Sequence, residues 1–286
     1  MKPVIIIGAP RSGTNMLRDV ICSLPDVATW PCDEINYIWR YGCRQLDSDE
    51  IPVGSVTQAS RNYIREYFEW VSRRYNSEVV VEKTCANSLR VPLVDSIFPD
   101  AKYIFIYRNA YDALSSAMDR WGAPLDVSYV LRKARFVPIA DLPSYAARYA
   151  KSRIHRLFNH EHRLGSWGPR FEGIDHELRE RPLDEICALQ WASCVVASAE
   201  AFGNIATERW LPVSYESFVN NPERQLIKIL EFCGLESNAT LAPSVVNDVN
   251  SASVGKGRIR LGSDAVNRLE PLVSDATIAL EKLLLR

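Results

Sequence analysis

Residues 8–17, GAPRSGTNML, have the composition of a turn that binds an anion. They follow the apolar run PVIIIG, so a strand, a glycine-containing turn and a helix come in that order. This order places free backbone N–H groups and the positive end of a helix dipole at one point. The candidate ligand-binding residues of the turn are Ser12, Gly13, Thr14 and Asn15. The pattern predicts a phosphate site directly after the first strand.

The cation of this turn is an arginine in a different position from the lysine of an ATP-binding P-loop. That lysine directly follows the second glycine and contacts the β and γ phosphates. Here Thr14 follows Gly13, and the cation is Arg11, two positions before the glycine. Because a guanidinium is planar, permanently charged and bidentate toward oxyanions, we expect Arg11 to hold a 5′-phosphate and its departing oxygen without donating a proton. The leaving group must then be weakly basic.

A second strand end, in the stretch YIFIYRNAYDALSSAMDRW, repeats the arrangement. Arg108 follows the predicted strand, and the next helix carries Ser116, eight residues later, and Arg120. A helix that runs back past Arg108 brings Ser116 beside the same ligand. Two anion sites on neighbouring strand ends indicate a ligand with two separate phosphates, and adenosine 3′,5′-bisphosphate fits.

These stretches resemble the sulfotransferases that use 3′-phosphoadenosine 5′-phosphosulfate (PAPS), especially the bacterial members and the tyrosylprotein branch. The family's first loop is a proline, a basic residue, Ser or Thr, Gly, Thr, then Thr or Asn, and it appears here as PRSGTN. Its 3′-phosphate element, an arginine followed eight positions later by a serine, appears as RNAYDALSS. Further similar stretches are EKT at 82–84, FPDAKYIFIYRN at 98–109 and VSYESFVNNPE at 213–223.

The resemblance implies that PAPS is the co-substrate and adenosine 3′,5′-bisphosphate its product. It places Arg108, Ser116 and Arg120 on the 3′-phosphate and Tyr215 near the adenine. The stretch SVGKGR is similar to the family's late basic loop, so Lys256 and Arg258 are expected to close over the same phosphate. The alternative for this last stretch is a solvated basic turn.

Sulfuryl transfer depends on positioning and on stabilisation of negative charge, for which the motifs supply Arg11 and Lys83 without a metal. Small-molecule sulfotransferases use the histidine of a K-T-H stretch as base, but this chain reads KTCAN, and a Cys85 thiol with a pKa of about 8.5 is a poor base. In the tyrosylprotein branch the base is a glutamate soon after the first helix. Glu34 is therefore our candidate base and Asp33 its alternative. The CDE stretch could instead be only a helix N-terminus.

The elements that must position these residues form an α/β pattern. Apolar runs at 4–7, 79–81, 103–107 and 210–213 predict buried parallel strands, each followed by a helical pattern. Helices are predicted over 13–23, 33–46, 58–75, 109–121, 184–203, 222–233 and 264–285. We expect a P-loop-like three-layer fold with a central parallel sheet flanked by helices, as a single domain over residues 1–286.

Residues 122–182 break this rhythm and are predicted to be an insertion that covers the acceptor side. The segment combines basic and aromatic side chains, at Tyr145, Arg148, Tyr149, Lys151, Arg153, Arg156, Arg163, Trp167, Arg170 and Phe171. This composition suits a small-molecule or glycan hydroxyl acceptor. The same charges would also suit an exposed helix face.

Overall composition narrows the function classes. The formal net charge is −1, so the chain has no general field for nucleic acid. Seven cysteines without a C-x-x-C pair indicate reduced thiols, and four histidines match no metal-ligand spacing. No apolar run is long enough to span a membrane, and without a signal-peptide pattern we expect a cytoplasmic protein. The rival functions are a P-loop kinase that uses ATP and magnesium, and a noncatalytic nucleotide-binding module.

Overall fold

A five-stranded parallel sheet forms the centre of the computed structural model, which describes residues 1–122, residue 147 and residues 166–286. The strand order is β2-β3-β1-β4-β5. The strands are β1 Lys2–Ile7, β2 Val27–Ala28, β3 Val79–Lys83, β4 Lys102–Tyr107 and β5 Trp210–Ser214. All four predicted strands are present, and the two-residue β2 was not predicted. With helices on both faces, the fold is α/β and P-loop-like, as expected.

The central position of β1 decides where a ligand can bind. Along β1, Ile6 is in register with Lys83 of β3, and Ile7 with Phe105 of β4. The chain passes from β3 on one side of β1 to β4 on the other, so the strand order reverses at β1. Open α/β sheets bind ligands in the crevice at the carboxyl ends of the strands beside such a reversal. The turns that follow β1, β3 and β4 all lie at this edge.

Twelve α-helices are described, numbered here in chain order. Five lie within residues 1–122: α1 Thr14–Cys22, α2 Asn36–Trp39, α3 Gln58–Tyr75, α4 Val91–Ile97 and α5 Ala110–Trp121. The next helix described is α6 Ile174–Glu180. Six more complete the C-terminal part: α7 Leu183–Phe202, α8 Tyr215–Asn220, α9 Pro222–Cys233, α10 Ala242–Val245, α11 Gly257–Leu261 and α12 Ser263–Leu284. Short 3₁₀ helices cover Val53–Ser55, Cys85–Leu89, Thr207–Arg209 and Glu236–Leu241.

Two hydrophobic cores hold the helices to the sheet, one on each face. On one face, Ile5 and Ile7 of β1 contribute to a core with side chains from α3, α4, α5, α7 and α12. On the other face, Val4 and Ile6 pack with α1, α8 and α9. Alternate residues of one strand therefore enter opposite cores, as the pleat requires. Within the described ranges, no helix is long and apolar enough to cross a membrane.

One predicted helix, over 33–46, is wrong. Only Asn36–Trp39 is helical, and Gly42 then takes a left-handed conformation with φ of 80°. The reason is a buried ion pair: the Arg40 guanidinium is 2.8 Å from the Asp49 carboxylate and also donates to the carbonyls of Leu46 and Ser48. These bonds fold the chain back as turns, which the local apolar pattern did not reveal.

The predicted insertion is described only in part. Tyr145, Arg148, Tyr149, Lys151, Arg153, Arg156 and Arg163 lie outside the described residues, as do His155, His160 and His162. Within the description, Arg170 is not open to a ligand, because its guanidinium binds the Asp175 carboxylate at 2.5 Å and the carbonyl of Asp47 at 2.7 Å. Phe171 is buried, and Trp167 packs edge-on against Trp121.

Candidate active site

The turns after β1 and β4 meet directly. Arg11 donates from Nε to Oγ of Ser116 over 2.9 Å, and Arg108 donates from Nη1 to the backbone carbonyl of Arg11 over 3.0 Å. Arg11 and Arg108, which the sequence assigned to two separate phosphate turns, therefore belong to one site. The shared edge of the sheet brings them together, since β1 and β4 are neighbouring strands.

The backbone of the first turn is tightly constrained. Arg11 has φ of 68° and Gly13 has φ of 91°, so both are in the left-handed region. A β-carbon at Gly13 would lie 2.4 Å from the ring of Tyr215, which explains the glycine at this position. The Ser12 hydroxyl is completely buried and has no hydrogen-bond partner within the described part of the chain. A polar group of this kind is costly to bury unless a ligand or water binds it.

The positive charges of the site are close enough to affect one another. The pKa of Arg11 is lowered, first by burial and then by the nearby charge of Arg120 and Arg108, although Asp119 acts in the opposite direction. Arg120 is exposed at the end of α5. A cluster of guanidinium groups that repel one another in this way is stabilised by an anion placed between them.

Arg108 and Tyr215 form the second half of the site. The Arg108 guanidinium lies over the Tyr215 ring, 4.2 Å from its centroid, and donates from Nη2 to the carbonyl of Ser253 over 3.1 Å. The Tyr215 hydroxyl is 2.8 Å from the Ser253 hydroxyl. Tyr215 is buried, with one ring face occupied by Arg108. The sequence did not identify Ser253, although it begins the stretch SVGKGR.

The late basic loop lies beside the second turn. Lys256 is exposed, and the Arg258 guanidinium stacks on Tyr111, 4.1 Å from the ring centroid. The backbone N–H groups of Gly255 and Gly257 donate to the carboxylate of Asp112. Asp112 is a second residue that sequence reasoning missed, even though it lies inside the stretch RNAYDALSS.

The end of β3 brings Lys83 and the candidate base together. Lys83 donates from Nζ to Oε1 of Glu34 over 3.1 Å, and the backbone N–H of Cys85 donates to the same oxygen over 3.3 Å. Burial on its own would lower the pKa of Lys83, but the Glu34 carboxylate outweighs it and the pKa is raised. The Glu34 side chain keeps 27% of its surface exposed, so it remains accessible to a substrate.

Two other groups near Glu34 have different environments. Burial raises the pKa of the Cys85 thiol to about 12, and its sulfur is 3.6 Å from the Thr14 hydroxyl. Such a thiol cannot serve as a base at neutral pH. Asp33 accepts from Arg18, whose Nη1 also donates to the Asp33 carbonyl. Of the two candidate carboxylates, only Glu34 contacts Lys83 in the described part of the chain.

A buried hydrogen-bond chain fixes the segment that carries Glu34. The backbone N–H of Ile35 donates to the Thr84 hydroxyl over 3.1 Å, and that hydroxyl donates to Glu82 over 2.5 Å. Asn87 donates to the other oxygen of Glu82 over 2.8 Å. Burial raises the pKa of Glu82 to about 7. The EKT stretch thus positions the 34–35 backbone, a role not assigned to Glu82 or Thr84 from sequence.

A sequence model of a sulfotransferase family matches residues 3–167 and 170–239. The match includes both turns predicted to bind anions and most of the chain, and the chain belongs to the sulfotransferase family. This result confirms the resemblance drawn from the motifs and indicates a transferase; it gives no support to the kinase alternative. Among curated proteins, none matches the chain.

Three solved structures with a similar fold are bacterial sulfotransferases. One from Mycobacterium avium has a TM-score of 0.53 at 13% identity, with 96% of this chain and 75% of that chain covered. One from Alicyclobacillus acidocaldarius has a TM-score of 0.51 at 15% identity, covering 100% and 96%. The sulfotransferase domain of an olefin synthase from Synechococcus PCC 7002 has a TM-score of 0.50 at 16% identity, covering 99% and 94%. At these identities the likeness is one of fold.

Proposed function

We propose that this protein transfers a sulfuryl group from PAPS to a hydroxyl acceptor. The observation that carries the proposal is the hydrogen bond between Arg11 and Ser116, with Arg108 bonded to the Arg11 carbonyl. It joins the two turns that we propose to bind the phosphates, and this contact supports a single site. A donor with phosphates on the 3′ and 5′ positions of its ribose would span both turns.

The site fits such a donor on its own chemistry. Burial, and then the neighbouring guanidinium groups of Arg120 and Arg108, lower the pKa of Arg11, so an anion would relieve the repulsion among these cations. The buried Ser12 hydroxyl, unpartnered within the described ranges, would find an acceptor in a phosphate oxygen. The proposed 5′-phosphate residues are Arg11, Ser12, Gly13, Thr14 and Asn15. The proposed 3′-phosphate and adenine residues are Arg108, Ser116, Arg120, Tyr215, Lys256 and Arg258.

The proposed chemistry needs three side chains. Bound PAPS would supply a sulfuryl group whose S–O bond to the 5′-phosphate breaks as the acceptor oxygen bonds to sulfur. Glu34 accepts the proton of the acceptor hydroxyl, which general-base catalysis requires within hydrogen-bond reach. Lys83, 3.1 Å from Glu34, orients the carboxylate, and Lys83 and Arg11 stabilise the charge that develops on the departing phosphate.

The acceptor class follows from composition rather than from geometry. The basic and aromatic residues of 122–182 suit a small molecule or glycan with hydroxyl groups, and most of them lie outside the described residues. We further propose that this segment covers the acceptor side of a single domain over residues 1–286. The likeness to the tyrosylprotein branch stays a prediction.

Thermal-shift titration tests the donor. Adenosine 3′,5′-bisphosphate alone should stabilise the protein, by about 2.7 kcal/mol at one hundred times its Kd, and ATP should do so more weakly. Magnesium should not strengthen the bisphosphate effect. A response to ATP that depends on magnesium, with none to the bisphosphate, would reject the proposal. Turnover is then measured with labelled PAPS against a panel of hydroxyl acceptors.

A further inference from the structure

Asp112 binds the late basic loop through its backbone. One carboxylate oxygen accepts from the N–H of Gly255 over 2.8 Å, and the other accepts from the N–H of Gly257 over 2.6 Å. Asp112 is 4% exposed, so water does not compete with these bonds. Hydrogen bonds from backbone N–H groups to a buried carboxylate are among the strong ones in proteins. Asp112 therefore holds the main chain of the loop directly.

Close packing supports the same attachment. A β-carbon at Gly257 would lie 2.3 Å from the carbonyl carbon and oxygen of Tyr111 and 2.4 Å from the nitrogen of Asp112. The loop thus lies directly on the first turn of α5, at a distance that only glycine permits. The helix itself is fixed at this point, because the Asn109 side chain accepts from the N–H of Asp112 over 3.3 Å.

The other end of the loop contacts the nucleotide-site residues. Ser253 accepts from Arg108 through its carbonyl, and its hydroxyl is hydrogen bonded to Tyr215. The segment 253–258 is consequently tied to Arg108 and Tyr215 at one end and to Asp112 at the other. These hydrogen bonds fix the backbone positions from which the basic side chains of Lys256 and Arg258 extend.

We propose that Asp112 is a positioning residue that holds segment 253–258 where Lys256 and Arg258 can meet the 3′-phosphate. This inference rests on the proposed function, since it assumes a nucleotide with a 3′-phosphate. Asp112 lies four residues after Arg108, and its two carboxylate oxygens accept from the loop backbone. Its contribution to binding is through the backbone of Gly255 and Gly257.

The loss of charge and the loss of positioning predict opposite changes in the affinity of Asp112→Asn for phosphates. The substitution removes a negative charge close to an anion site, so on charge alone the affinity for phosphates should rise. It also replaces one of the two acceptor oxygens by an N–H donor that faces another donor, so the loop should be released. Release removes two cations from the 3′-phosphate, and the affinity should fall.

The experiment measures Kd for adenosine 3′,5′-bisphosphate and for adenosine 5′-monophosphate on the full chain. Asp112→Asn should weaken the bisphosphate by about tenfold and leave the monophosphate within about twofold. Gly257→Ala alters no charge but its methyl group cannot fit against Tyr111, and it should give the same selective loss. Asp119→Asn is the matched control: it removes a charge from the same helix, and the ion pair that it breaks among the described residues is an exposed one with Arg260, so neither Kd should weaken.

Hydrogen exchange on the free protein supplies a readout that needs no ligand. The amides of Gly255 and Gly257 should exchange faster in Asp112→Asn than in the wild type, while amides of the central strands stay protected. Unchanged exchange, or a folded Asp112→Asn that binds the bisphosphate as tightly as wild type, overturns the role of Asp112. If exchange differs between the two proteins as expected but the wild type binds no bisphosphate, the proposed function is overturned instead.

Discussion

Arg11 donates a hydrogen bond from Nε to Oγ of Ser116, 2.9 Å away and 105 residues along the chain. The bond orients a half-buried guanidinium whose backbone already has a left-handed conformation. It joins the turn after β1 to the helix after β4. These two elements are neighbours in space, at the carboxyl ends of adjacent strands, but are remote in sequence. The proposed donor site depends on this contact more than on any single motif.

Ser116→Ala should weaken binding of adenosine 3′,5′-bisphosphate by about five- to tenfold, because one hydroxyl is lost and Arg11 loses its partner. The loss is measured by calorimetry or thermal shift. Ser115→Ala is the control, since Ser115 is the neighbouring serine, is buried, and makes no hydrogen bond to the site within the described residues. Equal losses in the two variants would place the effect in helix α5 rather than in the hydroxyl.

Arg11→Gly should abolish bisphosphate binding and raise the free energy of unfolding by about 1 kcal/mol. Glycine adopts a φ of 68° without the steric cost that other residues pay, about 1–2 kcal/mol. The change also removes a half-buried cation from beside Arg120 and Arg108. Urea denaturation of the free protein gives the stability. A loss of more than 1 kcal/mol would show that Arg11 is held for structure and not for a ligand.

Local sequence patterns predicted much of the fold because the strands are short apolar runs and the helices have clear apolar faces. Helices α3 and α9 have the predicted bounds, 58–75 and 222–233. The apolar pattern wrongly predicted a helix over 33–46. The chain turns back after residue 39 because Arg40 and the distant Arg90 both form ion pairs with Asp49. Hydrophobic periodicity carries no information about such a buried ion pair.

The site residues also divide into those that local sequence predicts and those that only long-range packing reveals. Arg11, Ser116 and Arg108 could be found from spacing, since each follows a strand that the sequence predicts. Asp112 and Ser253 were missed because their roles arise from contacts across 145 residues, which only the packing of segment 253–258 on α5 creates. An acid inside the arginine–serine motif was the available signal for Asp112.

Glu34→Gln should lower kcat by about 10²–10⁴-fold while the Kd for the bisphosphate stays within about twofold, because a base acts only in the chemical step. Single-turnover assays with labelled PAPS separate the two quantities. Asp33→Asn is the control, as its carboxylate binds Arg18 and not Lys83. If Asp33→Asn loses turnover and Glu34→Gln keeps it, the assignment of the base is reversed. If neither variant loses turnover, neither carboxylate is the base. A wild type that binds the bisphosphate but shows no turnover would support the noncatalytic alternative.

Thr84→Val should lower kcat without weakening bisphosphate binding, since the hydroxyl fixes the backbone next to Glu34 through the N–H of Ile35. It should also cost about 1–3 kcal/mol of stability, because a buried N–H loses its partner. Thr84→Ser keeps the hydroxyl and should restore kcat. A serine variant as slow as the valine variant would point to the lost methyl group and against the hydrogen bond.

Glu82 should make the free energy of unfolding depend on pH, and the neutral variant Glu82→Gln should lack this dependence. Burial raises the pKa of Glu82 from 4.5 to about 7, so the folded state binds this proton more tightly than the unfolded state does. The stabilisation from the bound proton is therefore complete below about pH 4.5 and is lost as the pH rises through about 7. At 1.36 kcal/mol for each unit of pKa, the loss is about 3 kcal/mol.

Urea denaturation of wild type and Glu82→Gln at several pH values between 5 and 8 measures this effect. The wild type should lose stability relative to the variant as the pH rises to about 7, and the difference should then level off near pH 8. Other titrating groups cancel in the difference, because both proteins share them. A difference that is constant across this range would mean that Glu82 is ionised throughout, and that the hydrogen bonds from Thr84 and Asn87 outweigh its burial.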